Sequence, residues 1–258
     1  MDLPAPEAPT MATDSPALMS NETSSTMVSI PSGLVTFFVR LSALSTLIKF
    51  FRLVLVFAWL WPAGAEGATS RTVVVLGDSL SAGYGIKVQE GWVALLSQRL
   101  ASEGYGYKVV NASVSGETTQ GGLSRLPRVL ELHKPDIVIV ELGGNDGLRG
   151  LPLATSHENL RRAIELARGT KARVLLVGMM IPPNYGERYA REFRDMFTTL
   201  ATKYSLALVP FLLDRVALEP GLMQADGIHA NAKGQPQMLE NVWSKLKPML
   251  VAPRKPAS

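Results

Sequence analysis

The chain has 258 residues, room for one sizeable α/β domain or two small ones, and 47% of them are hydrophobic, ample for a core. Its 26 Lys and Arg against 22 Asp and Glu leave a net charge of only +4, spread without a basic run or interleaved aromatics, so charge marks no nucleic-acid site. Cysteine is absent, which excludes disulfides, thiolate nucleophiles and cysteine-type zinc sites and leaves the redox compartment open.

Residues 1–31 are rich in Ala, Pro, Ser, Thr and Met, lack periodicity and are expected to be disordered. Residues 34–61 are largely apolar but interrupted by Arg40, Lys49 and Arg52. The end of that stretch has the layout of a secretory signal. Lys49-Phe50-Phe51-Arg52 is the positive flank, residues 53–61 the apolar core, and Ala63-Gly64-Ala65 a small-x-small cleavage site. A membrane anchor over residues 41–61 would place two cations inside the bilayer at about 2.5–3.5 kcal/mol each, so the signal is the favoured reading. It implies a periplasmic or secreted protein after cleavage near Ala65. The long extension ahead of the signal suggests translation from Met27. The domain organisation that follows is a 1–65 extension plus signal and one domain over 66–258.

From residue 66 onward, apolar strands alternate with amphipathic helices. Strands are predicted over 71–76, 107–112, 137–142, 173–178 and 207–209, and helices over 91–102, 121–132, 156–168, 186–204 and 234–250. This alternation predicts an α/β fold with right-handed crossovers and a five-stranded parallel sheet covered on both faces.

The first strand is an uninterrupted apolar run that stops at Gly77-Asp78-Ser79. Ser79 is thereby placed just past the carboxyl end of a central strand, where open α/β sheets bind ligands, and becomes a candidate nucleophile. Gly-Asp-Ser is also ordinary turn and capping composition, so the assignment depends on what joins it. The second strand runs into Ser113-Val114-Ser115-Gly116-Glu117-Thr118 and the third into Gly143-Gly144-Asn145-Asp146-Gly147, and parallel strands bring both turns to the same edge. Ahead of the last helix stands Asp226-Gly227-Ile228-His229. A three-residue spacing in a tight turn puts both side chains on one side, where a carboxylate can fix the imidazole tautomer and stabilise the imidazolium. Acyl transfer further needs donors aimed at the developing oxyanion. The N–H groups of Ser79 and Gly116 and the Asn145 amide are the candidates.

These blocks resemble the GDSL or SGNH hydrolases. Gly77-Asp78-Ser79-Leu80, the glycine of Ser115-Gly116-Glu117-Thr118, Gly143-Gly144-Asn145-Asp146 and Asp226-x-x-His229 look like the family's four signature blocks. Residues 76–85, 141–150, 183–186 and 223–229 look like the periplasmic multifunctional esterases, thioesterase I and arylesterases among them. The resemblance implies a three-layer α/β/α sandwich of SGNH-hydrolase, flavodoxin-like type. It implies Ser79 as nucleophile, His229 as general base, Asp226 as its partner, and Ser79, Gly116 and Asn145 as oxyanion hole.

His133 and His157 have no partner at metal-ligand spacing and are assigned to structure or surface; no metal and no cofactor are expected. Leu148, Met180, Ile181 and Pro182 lie in loops that would flank the catalytic edge, and their apolar character argues for an acyl group over a sugar. The expected function is a serine hydrolase of carboxylic esters and thioesters, including aryl esters, acyl-CoA and lysophospholipids, with no nucleic acid and no stable protein partner. A carbohydrate acetylesterase of the same fold is the alternative. A nucleotide-binding module is disfavoured, because residues 77–85 match neither Gly-x-Gly-x-x-Gly nor the P-loop pattern.

Overall fold

The computed structural model describes residues 71–253. The expected disordered extension, the signal sequence and the domain start at residue 66 lie outside the described residues.

Five parallel strands, β1 (Arg71–Gly77), β2 (Tyr107–Asn111), β3 (Ile137–Glu141), β4 (Arg173–Val177) and β5 (Ala207–Val209), form one sheet in the order β2-β1-β3-β4-β5. β1 pairs with β2 from Arg71↔Tyr107 and with β3 from Val73↔Ile137, so it lies inside the sheet and is covered on both faces. Val73, Val74, Val75 and Leu76 are fully buried for that reason, as are Ile137 to Val140 on β3. The order reverses at β1, and the crevice between the carboxyl ends of β1 and β3 is where such a sheet receives a ligand.

The helices are α1 (Ser79–Ala82), α2 (Trp92–Ser102), α3 (Thr119–His133), α4 (Gly144–Leu148), α5 (Leu153–Gly169), α6 (Glu187–Tyr204) and α7 (Gln235–Leu246). α2 and α7 pack together on one face of the sheet, and α3, α5 and α6 on the other. Their buried residues recur at helical spacing: Trp92, Leu96 and Leu100 on α2, Phe193, Phe197 and Leu200 on α6. Each such Leu or Phe contributes about 1.5–3 kcal/mol by leaving water. Among the described residues no helix is long and apolar enough to cross a membrane.

Observed and predicted boundaries differ at the sheet edge. β2, β3 and β4 each end one residue earlier than predicted, because Ala112, Leu142 and Gly178 have already turned into the loops. The last predicted helix stops at Leu246 and continues as a 3₁₀ turn, Lys247–Met249, since Pro248 has no N–H to extend the α-helical ladder. α1 and α4, at four and five residues, are one-turn helices that the sequence presents as turns.

Candidate active site

The turn after β1 passes close over β3. A side chain at Gly77 would place its Cβ 2.6 Å from Glu141 Oε2, so only glycine permits the approach. Asp78 then caps α1, its Oδ1 accepting from the Leu80 N–H at 3.0 Å, and Ser79 is the first residue of that helix. The half-buried Ser79 faces a segment 150 residues downstream: its Oγ is 2.8 Å from His229 Nε2. His229 Nδ1 lies 2.7 Å from Asp226 Oδ2. A carboxylate only accepts, so Nδ1 carries the proton and donates to Asp226. Nε2 is left as an acceptor for the Ser79 hydroxyl.

The turn carrying this pair is self-braced. Asp226 Oδ1 accepts the N–H groups of Ile228 at 2.9 Å and His229 at 3.0 Å. The His229 backbone and side-chain hydrogen bonds hold the Asp226 carboxyl down to about 2, so it is ionised across the physiological range. Met223 and Ala230 form an antiparallel bridge that closes the loop. The Gln224 amide donates to Tyr84 O at 2.8 Å and Ala230 O at 3.1 Å, tying the histidine loop to the segment after α1.

Gly116 adopts a left-handed conformation, φ 78°, and its carbonyl accepts from Arg149 Nη2 at 3.1 Å. Asn145 lies in the first turn of α4, and its Nδ2 donates to Glu117 O at 3.0 Å and to Asp78 Oδ2 at 3.2 Å. The neighbouring Asp146 is buried and receives the Thr119 N–H and the Thr119 and Ser156 hydroxyls, pinning α4 to the starts of α3 and α5.

Ser79, Gly116, Asn145 and His229 share the wall of one cleft of about 530 Å³. Leu148, Met180, Ile181 and Pro182, singled out from sequence as pocket residues, line it too. Sequence reasoning missed Phe211, Leu213 and Met223 on the same wall. A signal for the first two lies in the sequence: the segment after β5 emerges at the same sheet edge as the other three turns. His133 falls in the last turn of α3 and His157 on α5, and neither lines the cleft. Among the described residues no group of three His, Asp or Glu side chains could hold a metal ion.

Residues 75–236 match the GDSL-like Lipase/Acylhydrolase family. Esterase TesA of Pseudomonas aeruginosa is 52% identical over 185 residues, covering 72% of this chain and 92% of that protein. Thioesterase 1/protease 1/lysophospholipase L1 of Escherichia coli K12 is 41% identical over 185 residues, covering 72% and 88%. The crystal structure of the psychrotrophic esterase EstA from Pseudoalteromonas sp., inhibited by monoethylphosphonate, superposes with a TM-score of 0.67 at 38% identity, over 69% of this chain and 98% of that one. With a family match across most of the described domain and relatives aligned over nearly their whole length, the chain belongs to the GDSL-like lipase/acylhydrolases.

Proposed function

We propose that this chain is a serine esterase that hydrolyses carboxylic esters and thioesters through an acyl-enzyme, with Ser79 as nucleophile, His229 as general base and Asp226 as its orienting partner. The observation that carries the reading is the unbroken Ser79–His229–Asp226 relay, with contacts of 2.8 and 2.7 Å, opening into a mostly apolar cleft. Ser79 Oγ forms a bond to the acyl carbon as its proton passes to His229 Nε2. The carbonyl oxygen becomes an oxyanion beside the N–H groups of Ser79 and Gly116 and the Asn145 amide. Collapse breaks the bond to the leaving alcohol or thiol, which takes the proton from His229. Water then repeats the sequence on the acyl-Ser79 ester and releases the acid.

The apolar wall favours an acyl chain over an acetylated sugar, because Leu148, Ile181, Phe211 and Leu213 offer a chain contact area and few polar partners. Relatives named as an esterase, an arylesterase and a thioesterase/lysophospholipase support aryl esters, acyl-CoA and lysophospholipids as the substrate range. Periplasmic or secreted location, with one hydrolase domain over residues 66–258 after cleavage near Ala65, is part of the same proposal; its support is the cationic flank, apolar core and Ala63-Gly64-Ala65 site. Sequencing the amino terminus of the exported protein tests it.

The functional test is hydrolysis of p-nitrophenyl esters from acetate to palmitate by wild type and Ser79→Ala. A chain-length optimum in the wild type, with a loss of about a thousandfold or more in the variant, is the expected result. Equal activity in the two proteins would remove Ser79 from the nucleophile's role. A preference for acetylated carbohydrate over medium-chain esters would replace the substrate assignment.

A further inference from the structure

Two buried carboxyl groups lie beneath the nucleophile's turn, and the hydrolytic steps use neither. Glu141, at the end of β3, is wholly inaccessible, and Asp78, between Gly77 and Ser79, is 2% exposed. They are joined through the backbone: the Asp78 N–H donates to Glu141 Oε2 at 3.3 Å, and the Ser81 hydroxyl donates to the same oxygen at 2.6 Å. Asp78 spends Oδ1 on the Leu80 N–H and turns Oδ2 to the Asn145 amide at 3.2 Å. Among the described residues neither carboxyl is paired with Lys or Arg. The charged groups that face Asp78 are Glu141 from β3, Asp146 from α4 and His229 from the loop before α7.

Two carboxylates this close in a dry site do not both ionise readily. Burial and the negative charge of Asp78 push the Glu141 carboxyl well above the ordinary carboxylate range. Burial raises Asp78 to about 6, against the Leu80 N–H, the field of His229 and the Asn145 amide, which lower it. A carboxylate and the Glu117 carbonyl, both pure acceptors, stand on either side of Asn145 Nδ2 and fix the nitrogen end of that amide at the cleft. Once protonated, Asp78 can donate instead, and of the two acceptors the Glu117 carbonyl alone is left to hold the amide nitrogen in place.

We propose that Asp78, whose Oδ2 accepts from the Asn145 amide, is a positioning residue that keeps the nitrogen end of that amide at the cleft, where an approaching carbonyl oxygen can share its N–H groups. The proposal rests on the reading of Asn145 as an oxyanion donor. Asp78 acts through Asn145, so its effect belongs in kcat, where a donor used in the transition state is felt, and not in KM.

The test measures kcat and KM on p-nitrophenyl butyrate from pH 5 to 9 for the full chain and for Asp78→Asn, Glu141→Gln, Asn145→Ala and Asp78→Asn/Asn145→Ala. Asn145→Ala is expected to lose about 10²–10³ in kcat. Asp78→Asn, which can donate as well as accept, should lose about ten- to a hundredfold in kcat with KM within about twofold. Below about pH 6 the kcat of the wild type should fall more steeply than that of Asp78→Asn, which has no carboxyl to protonate there. Glu141 meets Asp78 through its backbone N–H and does not touch Asn145, so Glu141→Gln should keep kcat within about threefold. The double variant should be no worse than Asn145→Ala, since both changes remove one function. Multiplicative losses in the double variant, the same fall of kcat below about pH 6 in wild type and Asp78→Asn, or a hundredfold loss in Glu141→Gln would overturn the inference. Full activity in Asn145→Ala would instead overturn the oxyanion reading on which it stands.

Discussion

The Tyr84 ring lies against the His229 imidazole, centroids 4.6 Å apart and planes tilted by 40°. The tyrosine is half exposed, so its hydrophobic contribution alone does not account for a fixed position there. Its backbone carbonyl is gripped by Gln224 from the histidine's own loop, which keeps the ring against the imidazole that the proposed mechanism charges.

An aromatic face next to a cation at an exposed site is worth about 0.5–1 kcal/mol. Tyr84→Ala should therefore lower kcat/KM by about two- to fivefold, and Tyr84→Phe should restore it. Steady-state kinetics on a short ester decide the matter. Identical values for all three proteins would reduce the ring to a piece of cleft wall.

Asp226→Asn should be far more damaging than its exposure suggests. Asparagine can donate to His229 Nδ1 and so favours the tautomer with the proton on Nε2, which cannot accept from Ser79; a change of this kind costs about 10⁴ in kcat. The fold should survive with an unchanged circular dichroism spectrum. A loss of less than about tenfold would mean that Asp226 acts as a loop brace through the Ile228 and His229 N–H groups only.

The buried carboxyl pair should make stability fall with pH where most paired carboxylates make it rise. With Asp78 raised to about 6, the folded chain keeps a proton that the unfolded chain has released by about pH 4, so unfolding becomes easier as pH climbs between those values. Asp226 has the opposite sign: held down to about 2, its contribution is complete above about pH 4 and is lost as pH falls from there. Thermal melts at pH 5 and 7 should show Asp78→Asn gaining on the wild type at the higher pH. A difference in Tm that stays constant across the two would refute the assignment.

Gly178, directly after β4, is a point of closest approach to the β5 segment. A Cβ there would sit 2.4 Å from Pro210 O and 3.0 Å from Val209 O, both backbone atoms that cannot swing aside. Gly178→Ala should destabilise by about 1–3 kcal/mol, which for a domain of this size is a drop in Tm of about 2–4 °C per kcal/mol. A melt within a degree of wild type would show that the β4 and β5 ends part without strain.

The half-buried Leu148, on α4, faces the cleft. Leu148→Trp should fill part of its volume and shift the optimum on p-nitrophenyl esters towards shorter acyl chains, with activity on the acetate retained. An unshifted profile would place the acyl chain along another wall.

The sheet was legible because its strands are unusually plain: Val73-Val74-Val75-Leu76 and Ile137-Val138-Ile139-Val140 have no polar break, which suits a strand covered on both faces. Ser79, Asp226 and His229 were legible for a different reason, as polar residues gathered at loop positions that a parallel sheet brings to one edge. What could not be read were the contacts that depend on the third dimension. Glu141 looks like the ordinary end of a strand, and nothing in its neighbours announces that the Gly77 turn lies on its carboxyl group. Tyr84 and Gln224 are far apart in sequence and meet only because two loops fold over the same strand ends. The two one-turn helices escaped because four or five residues contain too little periodicity to register.

Asp226 and His229 are carried by one turn, whereas Ser79 opens α1 directly after β1. Asp226 and His229 are braced to each other by backbone and side-chain bonds within four residues, and the Ser79–His229 contact, the Gln224–Tyr84 hydrogen bond and the Tyr84 ring join their turn to α1 and the segment after it. The pair therefore travels as a cassette. Loosening the 223–230 bridge would carry base and carboxylate away from Ser79 together and silence the enzyme with the α/β core untouched. Heat inactivation and global melting are thus separable events, and the first can be reversible where the second is not.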